Sequence, residues 1–230
     1  MLTLLTATGA RPEAWAICER LMMRQTYSGP VHWIIVDDGP DPQLQPLTKE
    51  HWSVSVLRPH PRWQPGQNTQ ARNLMAGLSI VSRDARLVII EDDDHYAPDW
   101  LETVDRELQR SELVGEFRAR YYNVSTMRAR QLNNTQHASL CSTAMRGAAI
   151  DTFRWACDRN PKFIDLELWR KHRSRHLFGG HRVVGIKGMP GRGGIGMGHA
   201  RDFNGDPDPN GAILREWVGD DAGLYLRESP

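Results

Sequence analysis

Leu87-Val88-Ile89-Ile90-Glu91-Asp92-Asp93-Asp94-His95-Tyr96-Ala97-Pro98 is the stretch from which the fold of this chain is read. Four apolar residues in a row read as a strand buried on both faces, the form used at the centre of a parallel α/β sheet. Four carboxylates follow at the strand's C-terminal end, where open α/β sheets bind their ligands. Adjacent anions repel one another and cannot all leave water without a cation, so the position asks for a divalent metal. Hard oxygen ligands favour Mg²⁺ or Mn²⁺ over zinc. An acidic run is more often a solvated turn, but directly after a buried strand it is read here as a metal site. Pro98 then opens a helix with Asp99 in its first turn.

Toward the N-terminus, residues 2–6 read as a first strand, and Thr6-Ala7-Thr8-Gly9-Ala10-Arg11-Pro12 as a loop leading into a helix over 12–25. Residues 31–36 form a second buried strand that ends in Asp37-Asp38-Gly39-Pro40-Asp41, and 52–57 a third, shorter one. A loop over 58–67 carries Pro59, Pro61, Pro65 and Gly66 with His60 and Trp63, and a helix over 69–81 follows with Arg72 and Asn73 in its first turns. This order predicts an α/β fold: a doubly wound, mostly parallel central sheet with helices on both faces.

Toward the C-terminus a helix is expected over 99–110, an extended Arg-rich segment over 115–124 and a short strand within 139–145. Helices over 148–159 and from 163, and a last strand over 182–186, complete the pattern. Beyond lie a glycine-rich stretch over 187–199 and a loop-rich tail over 203–230, with Gly205-Asp206-Pro207-Asp208-Pro209-Asn210-Gly211 as a turn cluster. No internal repeat or linker divides the chain.

The 230 residues are 40% hydrophobic and 25% charged, ordinary for a soluble globular protein. A net charge of +1 gives no global push toward nucleic acid or membrane. Only Lys49, Lys162, Lys171 and Lys187 are lysines among 29 basic residues, a bias that fits phosphate recognition or a GC-rich genome equally well. Cys18, Cys141 and Cys157 are odd in number and lack metal-ligand spacing, which favours a reducing compartment. No apolar run approaches membrane-spanning length and no charged n-region with a long apolar stretch opens the chain, so a soluble, cytoplasmic protein is expected.

In order and spacing, these segments resemble the GT-A glycosyltransferases, family 2 in particular, from Leu2 to about His199. The opening strand, Thr-rich loop and Pro-Glu helix look like that family's first β-α unit. Val36-Asp37-Asp38-Gly39 looks like its second-strand signature, where a carboxylate binds the nucleobase, and Ala71-Arg72-Asn73 like its helix start. Glu91-Asp92-Asp93-Asp94 looks like its metal-binding Asp-x-Asp element, with Glu91 where the commonest form has aspartate.

The resemblance implies a GT-A fold in a single domain. Residues 1–110 would form a nucleotide-sugar half, 111–200 an acceptor and catalytic half, and 201–230 a tail. It implies a nucleoside-diphosphate sugar donor, a UDP-sugar foremost, contacted by Thr6, Thr8, Arg11, Asp37, Asp38, Arg72 and Asp92. It also implies Mn²⁺ or Mg²⁺ held by Asp93 with Glu91 and His199, though which of Glu91, Asp92 and Asp94 meets metal or ribose stays open. In Phe163-Ile164-Asp165-Leu166-Glu167-Leu168, Asp165 would be the general base of an inverting transfer, with Ile164 in place of the family's first acid and Glu167 as fallback. Each residue also has a plainer reading: Asp37-Asp38-Gly39 as a turn, Arg72 as a local helix cap, Asp165 as a helix N-terminal charge, His199 as a structural histidine. The glycine-rich stretch lacks a Gly-Lys-Ser/Thr ending and is no P-loop; it suits a lid over the diphosphate or a plain connection.

Arg118, Arg120, Arg128 and Arg130 with Tyr121 and Tyr122 could line a polyanion groove, or form a strand pair with solvated arginines. Small phage-type enzymes that resemble family 2 glycosylate hydroxymethylated bases in DNA, so DNA is one expected acceptor, a soluble glycan or small molecule another; a membrane acceptor is not expected. A sugar nucleotidyltransferase would want a glycine-rich basic loop after strand one, where residues 6–11 offer only Gly9 and Arg11. A non-catalytic sugar or nucleic-acid binding protein is the other rival. Trp15, Trp33 and Trp155 are expected in packing, and Trp63, Trp100 and Trp169 near the site as stacking platforms.

Overall fold

The strands of the first half are β1 (Leu2–Thr8), β2 (Val31–Asp37), β3 (Trp52–Leu57), β4 (Arg86–Ile89) and β5 (His95–Tyr96), with helices α1 (Pro12–Met23), α2 (Gln70–Leu78) and α3 (Trp100–Glu107) between and after them. The second half adds β6 (Leu113–Glu116), β7 (Arg120–Asn123), β8 (Arg128–Gln131), β9 (Thr143–Arg146), β10 (Arg175–Phe178), β11 (Val183–Lys187) and β12 (Asp206–Pro207), with α4 (Ala148–Arg159), α5 (Ile164–Lys171) and α6 (Ala212–Val218). These elements come from a computed structural model that describes residues 1–42, 49–194, 196, 199 and 203–226.

Seven strands form the main sheet in the order β10-β6-β9-β4-β1-β2-β3. Neighbours are parallel except around β9, which runs antiparallel to both β4 and β6. The apolar runs explain the layering. Register sets Leu5 beside Ile34 and Ile89, and these face α2, α4 and α5. Leu4, one residue away, lies beside Trp33 and Val88 in the opposite core with α1 and α3. Alternate residues of one strand therefore fill two different cores, which is why these strands read as unbroken apolar runs. The doubly wound expectation is met. Gly77 lets α2 approach the sheet closely: a Cβ there would stand 2.3 Å from Leu5 Cδ1 and 3.0 Å from Val36 Cγ2.

A second sheet, β12-β8-β7-β11-β5, carries a smaller core in which Tyr122, Ala129, Val184 and Ile186 meet Leu214, Val218, Ala222 and Tyr225. The tail expected to be loop-rich thus contains α6 and a 3-10 turn over Gly219–Leu224, because the outer face of this sheet needs an apolar cover. The segment expected as one extended piece over 115–124 is two strands in different sheets, parted at Arg118, whose φ is 57°. Helices α1, α2 and α3 end earlier than the sequence suggests, at Met23, Leu78 and Glu107. Among the described residues no helix is long and apolar enough to cross a membrane.

β2 and β3 lie on one side of β1 and β4 on the other, so strand order reverses at β1. The loops after β1, β2 and β4 emerge there at one sheet edge, the position where such sheets bind ligands.

Candidate active site

At this edge the first loop meets the acidic run. Thr8 Oγ1 donates to Asp92 Oδ2 at 2.6 Å. The Arg11 guanidinium straddles two carboxylates, with Nη1 2.6 Å from Asp92 Oδ1 and Nη2 2.6 Å from Asp93 Oδ2. Lys187, the last residue of β11, is buried and sets Nζ 2.8 Å from Asp94 Oδ1 and 3.8 Å from Asp93 Oδ2. The Ile186 N–H also donates to Asp94 Oδ1, at 2.8 Å. Glu91 accepts from Gln70 Nε2 at 2.6 Å, and its own N–H donates to Tyr96 Oη at 2.8 Å.

The premise that buried anions require cations is met, but the chain supplies two of them itself. Arg11 and Lys187 were not assigned this part by the sequence. Four carboxyls against two cations leave a formal charge of two negative. Among the described residues the buried Asp94 Oδ2 atom has no hydrogen-bond partner, and Glu91, Asp94 and Cys141 bring ligand atoms within 4.8 Å of one another. Hard oxygen donors outnumbering the cations that face them fit Mn²⁺ or Mg²⁺. Burial, and then the charge of Asp94, push the Glu91 carboxyl well above the usual carboxylate range. Burial would raise Asp93 as well, but Arg11, Lys187 and His199 together outweigh it and hold it below that range. His199 Nε2 stands 3.6 Å from Asp93 Oδ2. Burial and Lys187 push its pKa down to about 3, so at neutral pH it is an uncharged imidazole with a lone pair to offer a metal.

A second cluster forms where β2 ends. Asp38 is fully buried; its Oδ1 accepts from Arg192 Nη1 at 2.7 Å and its Oδ2 from Arg72 Nη2 at 2.8 Å. The Thr69 hydroxyl also donates to Asp38 and accepts from Arg192 Nη2 at 2.6 Å. Trp63 is tied to the same place, its N–H donating to Asp38 O at 2.8 Å, and the Arg192 guanidinium lies 5.0 Å from its ring centroid. Asp37 follows the plainer turn reading: its Oδ1 accepts the Gly39 N–H at 2.9 Å, with Arg58 Nε 3.6 Å from Oδ2. Arg72 is an ion-pair partner of Asp38 rather than a helix cap.

Asp165 sits in the first turn of α5, partly buried, and accepts the Leu166 N–H at 2.9 Å. Burial raises its carboxyl above the ordinary aspartate range, opposed by that N–H and by His137. Tyr121 borders the acidic cluster. The phenol donates to Ser139 Oγ at 2.6 Å, the ring lies 5.8 Å from Lys187 Nζ, and burial chiefly, with Asp165 among the surrounding charges, raises the phenol's pKa.

Several sequence expectations are corrected. Thr6 is fully buried and its hydroxyl accepts the Trp33 indole N–H at 3.0 Å, so it braces β2 instead of reaching a donor. Trp100 and Trp169 are core residues with no face to offer a ring, whereas Trp155, expected in packing, is 39% exposed. Trp15 and Trp33 pack as expected. Tyr122 is wholly buried and Arg120 lies over Trp217 at 5.1 Å, so the Arg-Tyr segment does not form one grip. Cys141, left without a role by spacing, borders the acidic cluster, and all three cysteines are buried and free. Of the glycine-rich stretch, residues 195, 197 and 198 lie outside the described residues. Its earlier part crosses the first loop: Arg192 N–H donates to Ala10 O at 3.1 Å, and Gly191, at φ 94°, passes so close that a Cβ would meet that oxygen at 2.7 Å. Arg192 was missed because a lone arginine among glycines carries no periodic signal.

Known structures share this architecture. The S. aureus TarS 1-349 chain in complex with UDP superposes with a TM-score of 0.59 at 10% identity, covering 81% of this chain and 60% of that one. The same TarS piece in complex with UDP-GlcNAc gives 0.54 at 12% identity, over 88% and 63%. A further S. aureus TarS structure gives 0.56 at 10%, over 77% and 35%. This chain therefore spans less than two thirds of each of these chains, and the likeness at such identity is one of fold. No curated protein matches the chain in sequence. Residues 16–173, well over half of the chain and the part that holds the acidic run, Asp38 and Asp165, match the family model described as Glycosyl transferase family 2, and the chain belongs to that family.

Proposed function

We propose that the chain transfers a sugar from a nucleoside-diphosphate donor to a hydroxyl acceptor in a single inverting displacement. The observation that carries this reading is the convergence at one sheet edge of Asp38 with its arginines and of the acidic cluster with Arg11 and Lys187. The TarS complexes with UDP and UDP-GlcNAc support a UDP-sugar as the donor. Asp38 takes the nucleobase edge, Thr8 and Asp92 hold the ribose side, and Arg11 and Lys187 face the negative charge that grows on the departing diphosphate. Asp165 removes the proton from the acceptor hydroxyl, whose oxygen attacks the anomeric carbon as the bond to the diphosphate oxygen breaks and its electron pair leaves with the diphosphate. Asp93, Glu91 and His199, with the Asp94 Oδ2 atom beside them, would hold Mn²⁺ or Mg²⁺, which would supply further neutralisation of leaving-group charge.

A DNA acceptor rests on Arg118, Arg128 and Arg130 once packing accounts for Tyr122 and Arg120. The deciding experiment incubates the protein with α-linked UDP-sugars, Mn²⁺ or Mg²⁺, and hydroxyl acceptors that include hydroxymethylated DNA. A β-linked product by NMR, abolished by EDTA, is expected. A product of retained configuration refutes the displacement, and full turnover in EDTA refutes the metal.

A further inference from the structure

We propose that Arg192 occupies the nucleobase seat of the free protein and must be expelled for the donor to bind. This rests on the nucleotide-donor reading above and adds an internal competitor to it. The seat is defined by three features: Asp38 with its carboxylate fully buried, the Thr69 hydroxyl, and Trp63, whose backbone N–H donates to Asp38 O and whose indole N–H donates to Gln67 O. A base entering it would present a flat face to Trp63 and an N–H to Asp38. The Arg192 guanidinium already does both. It is planar, lies over the indole at 5.0 Å, and directs one N–H to Asp38 Oδ1 at 2.7 Å and another to Thr69 Oγ1 at 2.6 Å.

Arg192 is not needed to keep Asp38 neutralised, because Arg72 holds the other carboxylate oxygen at 2.8 Å. Nor is it part of a rigid element. It follows Gly188 and Gly191, both in positive-φ conformations, and Arg192 N–H donates to Ala10 O in the first loop. A side chain with these contacts, on a glycine-bounded segment, can be exchanged for a ligand that offers the same donor and a larger stacking face.

The test is calorimetric titration of the full chain with uridine and with UDP. Uridine has no phosphate, so an arginine that merely binds the diphosphate would not alter its affinity. Arg192→Ala is expected to bind uridine about tenfold more tightly than the parent, the worth of one lost charge-assisted competitor. Arg192→Gln, which keeps a donor without the charge, is expected between the two and guards against a misfolded alanine variant. UDP binding to the parent with uridine affinity unmoved or weakened in both variants overturns the plug while leaving the donor reading intact. No binding of UDP to the parent or to either variant overturns both. Binding of UDP to the variants alone supports the plug in its strongest form.

Discussion

Lys187→Met tests whether the chain's own cations hold the acidic cluster together. Lys187 Nζ lies 2.8 Å from Asp94 Oδ1, and both residues are buried. Methionine keeps the length and apolar stem of the side chain, so the loss is that of the charge. The Asp94 carboxylate would then keep the Ile186 N–H as its donor. Removing one member of a buried pair costs about 3–5 kcal/mol. An independent ceiling follows from protonation: Asp94 can escape by taking up a proton, and at pH 7 a carboxyl of ordinary pKa about 3.9 does so at a cost of about 4 kcal/mol. The two figures agree. For a chain of this size about 1 kcal/mol moves Tm by about 2–4 °C, so a drop of about 6–20 °C is expected.

Protonation also fixes the pH dependence. Burial already raises the Asp94 carboxyl in the parent against the pull of Lys187; without that charge it rises further, so the folded variant binds more protons than the folded parent and its stability falls more steeply as pH rises. The deficit relative to the parent should therefore shrink by up to about 1.4 kcal/mol per unit as pH is lowered from 7 toward 5. Urea denaturation of both proteins at pH 5, 6 and 7 measures it. A deficit below about 1 kcal/mol at pH 7, or one that does not change with pH, would show that Lys187 does not neutralise this cluster.

Asp93→Ala should lower transfer at least about a hundredfold, read as initial rate at saturating Mn²⁺, since it removes the carboxylate on which Arg11, Lys187 and His199 converge. Asp165→Asn should keep UDP affinity within about twofold and lose at least about a hundredfold in turnover. Because a base must be ionised and burial raises Asp165, the parent's kcat/KM should fall as pH drops through a value above the ordinary aspartate range, a limb missing from the residual rate of the variant. Gly77→Ala should cost about 1–3 kcal/mol in urea denaturation, because its Cβ would meet Leu5 Cδ1 at 2.3 Å; an unchanged midpoint would mean that α2 moves freely off the sheet.

The apolar run Leu87–Ile90 and the carboxylates after it were enough to place the central strand and the ligand edge, since a strand buried on both faces must be apolar throughout and its charges can only gather where it ends. The same local logic located β1, β2, α1 and α2, and put Asp38, Asp92 and Asp93 at one edge. What local pattern could not reveal is the second sheet: β5 and β12 are two residues each, too short for any periodicity, and exist because partners remote in sequence complete their hydrogen bonds. α6 was hidden for the same reason, its apolar residues acquiring a face only when Tyr122, Ala129, Val184 and Ile186 lie beneath them. Residues 91–94 alone establish that a buried cluster of negative charge needs neutralising. Which groups do it follows only from the folded chain, because Lys187 meets Asp94 across 93 residues and Arg11 meets Asp93 across 82, and electrostatic balance depends on distance through space rather than along the chain.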